Sequence, residues 1–390
     1  MTAAVLAAGL TAGLAGCSSP APAGRAGPGH GRSAAAQPSR PGPRSASPAV
    51  SGPSVADQAL GAFSLLPAAG PGYLAPGSHP GALPGDVLIA DEDNNRLLLV
   101  DPQGRIRWQF PRPGDLPSGH VFGPPDDAFV SPDGRTIIAT QETYDTVSLV
   151  DIAARRVTAH YGHPDTPGSA PGFFSHPDDA MLLPGGDLLL ADIVNCRILL
   201  LASGPWHVVR QFGHTGSCFH APPAHFGSPN GVFPLDDGNF LVTEINGDWV
   251  DEMSLTGHVY WSAHPPGVAY PSDACQVSGH RYLVTDYSDP GQVVIFDRAG
   301  HAVWRFRPSG AQTLNHPSLA LPLTNGNILV NDDRNDRVIV IDPATNRIVW
   351  QYGHDGVPGH GPGYLDNPDG VDMAPPDSLL MTHAATMGHP

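Results

Sequence analysis

The sequence predicts an all-β protein, a six-bladed β-propeller of four-stranded antiparallel blades. Six segments begin with a proline that polar or small residues follow, and successive prolines lie 42 to 52 residues apart. Each segment contains short apolar runs separated by turn residues such as Asn-Gly, which favour hairpins. A period of about 40–50 residues with four strands per repeat is typical of propeller blades. The six prolines are Pro125, Pro177, Pro229, Pro271, Pro317 and Pro368.

Blade one is predicted to draw its strands from both ends of the domain. Residues 86–91, 97–100 and 105–110 supply three strands, and no suitable innermost strand precedes them. Residues 367–373 have the pattern of the other opening strands, so we expect them to complete blade one and remove its free edge. A further strand-like run at 378–382 leaves a seven-bladed ring as the alternative. Blades two to six are predicted at 126–161, 178–212, 230–262, 273–306 and 318–352.

Composition excludes several classes of protein. The chain of 390 residues has 44 prolines, 46 glycines and no long helical apolar pattern, which argues against a helical fold. Its formal net charge of −17 disfavours nucleic acid and anionic lipid surfaces as partners, because both require a positive patch. We therefore expect a monomer that binds an unknown protein or small molecule and meets the membrane through a lipid anchor only.

The first 56 residues predict export and anchoring. Residues 1–16 contain a short apolar run that ends in Leu-Ala-Gly before Cys17, and this resembles a bacterial lipoprotein signal, although no positive charge precedes the run. The resemblance implies lipidation of Cys17 and a position on the extracytoplasmic face of the cell membrane. Residues 17–56 are rich in Pro, Ala and Ser and are predicted to be a disordered tether. The propeller is assigned to 63–390.

Two patterns recur within the repeats. The first is Asp-x-x-Asn-x-Arg between the second and third strands, which resembles the NHL repeat and is expected to hold the turn through charge-assisted bonds. The second places a Trp in the fourth strand and resembles the PQQ-like repeat of quinoproteins, in which this Trp packs between blades. The vicinal Cys pair of quinoprotein dehydrogenases is missing, so PQQ is not implied. The first pattern occurs at Asp91–Arg96, Asp192–Arg197 and Asp332–Arg337, and the second at Trp108, Trp261, Trp304 and Trp350.

Polar residues at the starts of the inner strands are the main candidates for a binding site at the channel mouth. Because side chains alternate along a strand, we expect one Asp of each pair to face the channel and the other to face the blade. Carboxylate and amide oxygens suit Ca²⁺, whereas the structural alternative is that these residues accept backbone N–H bonds at the turn. The candidates are Asp126, Asp127, Asp178, Asp179, Asn230, Asp273 and Asp369.

Histidines near the same prolines offer a second metal hypothesis. His176, His225 and His316 precede three inner strands, and the chain loosely resembles six-bladed lyases that hold zinc on histidines at such positions. Three imidazoles would leave one position of a tetrahedral Zn²⁺ open for water. Among the cysteines, Cys196 and Cys218 are predicted to reach the same rim and are the candidate disulfide.

The function expected from these patterns is a surface module that binds a ligand or protein through its rim loops. The alternative is a metal-dependent hydrolase or lyase with its site at the channel mouth. Glu244 and Asp286, at the ends of second strands, are also positioned to serve such a site, although nothing in their local sequence distinguishes them.

Overall fold

The protein is a six-bladed β-propeller in the computed structural model, which describes residues 72–204 and 206–374. In these residues, 24 strands form six four-stranded antiparallel sheets, and the innermost strands of neighbouring sheets contact one another. The predicted fold class and blade count are therefore confirmed. The predicted signal, Cys17, the tether and the run at 378–382 lie outside the described residues. None of the helices within the described ranges has the length and apolar character that a membrane crossing requires.

The strands follow the predicted blade boundaries closely. Four short 3-10 turns accompany them, at Pro80–Ala82, Glu142–Tyr144, Gly310–Gln312 and Asp333–Asn335. From the innermost strand outward, blade one comprises β24 (Pro368–Met373), β1 (Val87–Asp91), β2 (Arg96–Val100) and β3 (Ile106–Phe110); blade two comprises β4 (Ala128–Val130), β5 (Thr136–Gln141), β6 (Thr146–Asp151) and β7 (Arg156–Gly162); and blade three comprises β8 (Pro177–Leu182), β9 (Leu188–Asp192), β10 (Arg197–Ala202) and β11 (His207–Phe212). Blade four comprises β12 (Pro229–Pro234), β13 (Asn239–Glu244), β14 (Trp249–Ser254) and β15 (Val259–Ala263); blade five comprises β16 (Pro271–Ser278), β17 (Arg281–Asp286), β18 (Gln292–Asp297) and β19 (Ala302–Phe306); and blade six comprises β20 (Ala320–Pro322), β21 (Ile328–Asp332), β22 (Arg337–Asp342) and β23 (Arg347–Gly353).

Strand β24 closes the ring as the sequence predicts. It pairs with β1 from Val87 opposite Met373 to Asp91 opposite Pro368, and so completes blade one from the far end of the domain. This pairing satisfies the inner edge of β1, which would otherwise expose unpaired backbone groups.

The apolar core lies between adjacent blades. Strands near the axis are buried along their length, as in β1 and β9, whereas an outer strand such as β11 is largely exposed. Three of the repeat tryptophans link one blade to the next: the indole N–H of Trp108 donates to Ile152 O at 2.9 Å, that of Trp350 to Pro102 O at 2.9 Å, and that of Trp261 to Arg298 O. The predicted packing role of this tryptophan is therefore confirmed.

The Asp-x-x-Asn-x-Arg pattern forms what we call the rim corner of a blade, where the second strand ends and the third begins. In blade three, Arg197 Nε donates to Asp192 at 2.7 Å, and its other nitrogens donate to the carbonyls of Ser169 and Phe173. Asn195 also donates to Asp192 and to Gly168 O. The pattern thus holds the turn, as predicted, and it also fastens the long loop that arrives from the preceding blade.

Candidate functional site at the channel mouth

The inner strands begin with an irregularity that decides where the candidate carboxylates lie. In β8 the pairing with β9 shifts between Pro177 and Ala180, and the same shift occurs in β12 and in β16. The two residues after the proline therefore fall outside the regular ladder, as at a β-bulge. The predicted alternation of one Asp to the channel and one to the blade is wrong at this point, because Asp178 and Asp179 both reach the same cluster.

Four aspartates form a buried group that we call the mouth cluster. Asp127, Asp178, Asp179 and Asp273 each place one carboxylate oxygen within 4.8 Å of the others, and all four side chains are buried. They come from three blades, so only the closed ring brings them together. The predicted residue Asn230 lies beside them, because its side-chain amide donates to Asp178 Oδ2 at 2.6 Å.

Several oxygens of the mouth cluster have no hydrogen-bond partner. Asp179 Oδ2 accepts from the Val232 backbone N–H at 2.7 Å, but Asp179 Oδ1, Asp127 Oδ1 and both oxygens of Asp273 accept nothing. Buried polar atoms are seldom left unpaired in proteins, since each costs about 1–3 kcal/mol. The backbone-capping alternative therefore accounts for one oxygen of Asp179 and leaves the others unexplained.

A second cluster lies at the same mouth and includes residues that the sequence reasoning missed. Asp126 and Asp369, both predicted, bring a carboxylate oxygen within 4.8 Å of Glu92. Glu92 directly follows the last residue of β1, and Glu142 and Asp333 hold the equivalent position after β5 and β21. The position after each second strand was the signal available, since it enters the channel beside the start of an inner strand.

Burial and mutual repulsion raise the pKa values of these carboxyl groups. Burial, followed by the charges of Asp369 and Asp93, raises the pKa of Glu92 to about 8. Burial, and then Asp369, raises the pKa of Glu142 to about 7. The pKa values of Asp127, Asp178 and Asp273 lie well above their ordinary range, again mainly through burial.

Positive charge at the mouth is sparse. Arg334 lowers the pKa of Asp369 and interacts with the Tyr287 hydroxyl, and the charge of His176 acts on Glu142. Against these stand nine carboxyl groups of the described residues, all with raised pKa values. A bound cation or several retained protons must therefore balance the site. The nine are Glu92, Asp126, Asp127, Glu142, Asp178, Asp179, Asp273, Asp333 and Asp369.

The three histidines proposed for zinc are not brought together. His176 and His316 occupy equivalent positions before their prolines, with φ of 55° and 56°, but that position in blade four is Ser228. His225 lies instead against Phe219, with ring centroids 4.3 Å apart. Within the described ranges, no group of three potential metal ligands includes any of these histidines. The histidine arrangement expected from the lyase resemblance is therefore not assembled here.

Cysteine positions match the sequence reasoning. Cys196 and Cys218 are joined in a disulfide with a Cα–Cα distance of 5.2 Å, while Cys275 on β16 is free and buried. The disulfide connects the rim corner of blade three to the loop at 213–228, which leads into blade four. It therefore anchors one of the long loops on the rim that carries both clusters.

Comparison with known proteins supports a PQQ-like β-propeller. Residues 209–360 match the PQQ_2 family, described as outer membrane protein assembly factor BamB. The match begins in β11 and ends after β23, so it spans blades four to six. The comparison with curated proteins gave no match.

Solved structures with a similar fold include proteins of different kinds. A protein of unknown function from Bacteroides caccae superposes with a TM-score of 0.53 at 16% identity, covering 74% of this chain and 98% of that one. A streptogramin B lyase structure gives a TM-score of 0.49 at 16% identity, covering 80% and 92%. An inactive variant of virginiamycin B lyase from Staphylococcus aureus, with quinupristin, gives 0.42 at 15% identity, covering 58% and 69%. At these identities the likeness establishes the fold alone.

Proposed function

We propose that this protein is an exported, lipid-anchored binding module whose channel mouth holds Ca²⁺ and uses it to capture an oxygen-rich ligand. The observation that carries the proposal is the mouth cluster, with four buried carboxylates and four oxygens that lack any partner. A buried group of acids that served only to support the fold would have donors on those oxygens, as the rim corners do.

The donor set favours Ca²⁺ over a softer metal. Asp127, Asp178, Asp179 and Asp273 supply oxygen only, and Ca²⁺ prefers six to eight oxygen ligands at about 2.3–2.6 Å. Two ligands of one ion then lie no more than roughly 5 Å apart, which the 4.8 Å limit of the mouth cluster satisfies. Binding a divalent cation would also relieve the repulsion among the four carboxylates.

The surroundings of the clusters suggest where a ligand would contact the protein. Tyr270 and Tyr287 lie at the mouth with ring centroids 5.3 Å apart, and Arg334 interacts with the second of them. A ligand with a carboxylate or phosphate group would meet both the cation and the guanidinium there. Aromatic faces beside these charges suit its less polar parts. Long loops at 163–176, 213–228 and 354–367 enter the inner strands at the same rim.

Export and anchoring are part of the proposal. The apolar run before Cys17 and the Pro-rich segment that follows it favour a domain tethered outside the cytoplasm. The Cys196–Cys218 disulfide supports the same address, since disulfides persist in oxidising compartments.

A metal-dependent hydrolase or lyase is the second candidate, and one observation favours it. Glu142 and Glu92 have pKa values raised to about 7 and about 8, and both lie near the two clusters. A carboxyl group that titrates near neutrality beside a metal can accept and return a proton. If the protein is an enzyme, Glu142→Gln would abolish turnover while leaving Ca²⁺ binding in place, and that separates the two candidates once a ligand is known.

Metal analysis tests the proposal directly. We expect the dialysed protein to bind about one equivalent of Ca²⁺ in calorimetry, as one site built from four carboxylates implies. Its melting temperature should fall in EDTA, because a ligand that binds only the folded state stabilises it. The double variant Asp127→Asn/Asp273→Asn should bind Ca²⁺ at least about 100-fold more weakly, a larger loss than removal of one supporting group causes.

A charge-matched control is Asp133→Asn/Asp237→Asn, which removes two exposed aspartates from the turns of the opposite rim. This variant should bind Ca²⁺ as the natural protein does. Absence of Ca²⁺ binding, or equal loss of binding in both double variants, would refute the mouth cluster as the site.

A further inference from the structure

Blade four departs from the other blades at its rim corner. The residue that ends the second strand is Asp91, Asp192 and Asp332 in blades one, three and six, and an arginine five positions later neutralises each of them. In blade four the equivalent residues are Glu244 and Trp249. Glu244 therefore lacks the arginine that the repeat provides elsewhere.

A second departure adds another acid where the repeat has an aliphatic residue. Asp251 lies two positions after Trp249 on β14, and the equivalent residues of blades one, three and six are Leu98, Leu199 and Ile339. Asp251 is fully buried, and neither of its carboxylate oxygens has a hydrogen-bond partner. Blade four has thus lost a cation and gained an anion at the same corner.

A histidine from the disulfide-anchored loop completes the arrangement. His220 Nδ1 lies 2.9 Å from Glu244 Oε1 and 3.9 Å from Asp251 Oδ2. Its ring stacks on Trp249, with centroids 4.0 Å apart and an interplanar angle of 9°. The Cys196–Cys218 disulfide is two residues away in the chain. The imidazole is therefore held against the two carboxylates by a covalent anchor and by stacking.

We propose that His220, Glu244 and Asp251 form a site for a first-row divalent metal of the Zn²⁺ type, separate from the mouth cluster. One imidazole nitrogen with two carboxylates is a donor set that zinc accepts, at metal–ligand distances of about 2.0–2.2 Å. Ligand atoms of one zinc ion lie roughly 3–4 Å apart, and the two measured separations of 2.9 and 3.9 Å fit that spacing.

The site also has a route for the ion and room for a further ligand. The side chain of His220 is 21% exposed, while those of Glu244 and Asp251 are fully buried. The metal would thus sit at the base of the loop with its open coordination facing solvent, where water or a substrate oxygen binds in catalytic zinc sites. Trp249 stacks on one side of His220 and approaches His264 with its ring, at a centroid distance of 3.7 Å.

Zinc titration of the full chain tests this inference. To silence the channel mouth, the titration is made in the Asp127→Asn/Asp273→Asn background and followed by calorimetry. We expect one Zn²⁺ site, and we expect His220→Ala to weaken it by more than about 100-fold, beyond the effect of losing a supporting partner. His214→Ala, a change of the same kind in the same loop, should leave zinc affinity unchanged.

Asp251→Leu keeps the test meaningful if other variants fold poorly. This change restores the residue type of the equivalent positions, so we expect a folded protein with a higher melting temperature in EDTA and no zinc binding at this site. X-ray absorption of the zinc-loaded protein should show one nitrogen ligand from imidazole together with oxygen ligands. Unchanged zinc affinity in both His220→Ala and Asp251→Leu would overturn the proposal. So would the absence of any Zn²⁺ binding, which would mean that protons alone balance the corner.

Discussion

Two regions on the same rim bury carboxylates to a similar degree and compensate them differently. At the rim corner of blade six, Asp332 is fully buried and accepts from Arg337 at 2.7 Å, from Asn335 at 2.9 Å and from the Asn315 backbone at 2.7 Å. At the channel mouth, Asp273 is 2% exposed and neither oxygen accepts a hydrogen bond. Burial is nearly equal, so the partners make the difference.

The comparison separates acids that support the fold from acids that await a ligand. Burial raises the pKa of Asp332, and Arg337 opposes it, whereas the charge of Asp179 adds to burial in raising the pKa of Asp273. A corner aspartate with its arginine is complete within one blade. A mouth aspartate is complete only when something outside the chain, a cation or a proton, is added.

Removal of the corner arginine should have the largest effect. Arg337→Met leaves Asp332 buried without its charge partner, and the expected loss of unfolding free energy is about 3–5 kcal/mol. Urea denaturation at pH 7 measures it. Arg347→Met, at an exposed position of the same blade, should cost less than about 0.5 kcal/mol. Equal effects of the two substitutions would show that the corner pair contributes nothing special.

The rim corners could be predicted from the sequence because their partners are local. Asp332 and Arg337 are five residues apart, and the pattern repeats in three blades. The blade count and the closing strand β24 were predictable for a similar reason, since each blade repeats the same order of strands and turns. Only the tertiary contacts of Arg337 with Thr313, on the incoming loop, needed the structure.

The composition of the mouth could be predicted only in part. Proline-headed segments identified Asp127, Asp178 and Asp273, but the bulge that sends both Asp178 and Asp179 into one cluster is a backbone irregularity that side-chain periodicity does not show. Glu92 lies more than 270 residues from Asp369 in the chain and reaches it only through ring closure. Sequence reasoning had no local signal for that contact.

The blade-four corner was visible in the sequence, although single motifs did not reveal it. Aligning the repeats shows Trp249 in the place of an arginine and Asp251 in the place of an aliphatic residue. A departure from an internal repeat is a physical signal, because the structural partner it removes must be replaced. His220 could not be added from sequence, since the folded loop brings it there.

The pH dependence of stability should distinguish an empty mouth from a filled one. The pKa values of Glu92 and Glu142 are raised from 4.5 to about 8 and about 7, so the folded state holds more protons than the unfolded chain between pH 4.5 and 8. In EDTA the unfolding free energy should therefore fall as pH rises through this window, by about 2 kcal/mol after allowance for solvent screening.

Ca²⁺ should reduce or reverse that slope, because it binds the deprotonated carboxylates and only in the folded state. Urea denaturation at pH 5, 6.5 and 8, with EDTA or with Ca²⁺, measures both slopes. Stability that rises with pH in EDTA would mean that the mouth is already balanced by groups of the chain itself.

The smallest expected effect gives the sharpest contrast, since one chemical change should act with opposite sign in the two regions. Asp273→Asn removes one charge from the mouth cluster and supplies an amide that can donate to the unpartnered Asp179 Oδ1, so it should stabilise the metal-free protein at pH 8 by about 1 kcal/mol. Asp332→Asn makes the same change at the rim corner, where it takes the charge partner from the buried Arg337 and should destabilise the protein. Thermal unfolding in EDTA measures both, and a shift of about 2–4 °C per kcal/mol is expected for a domain of this size or somewhat smaller. Destabilisation by both substitutions would show that the mouth carboxylates support the fold in the same way as the corners, and the proposed cation site would lose its physical basis.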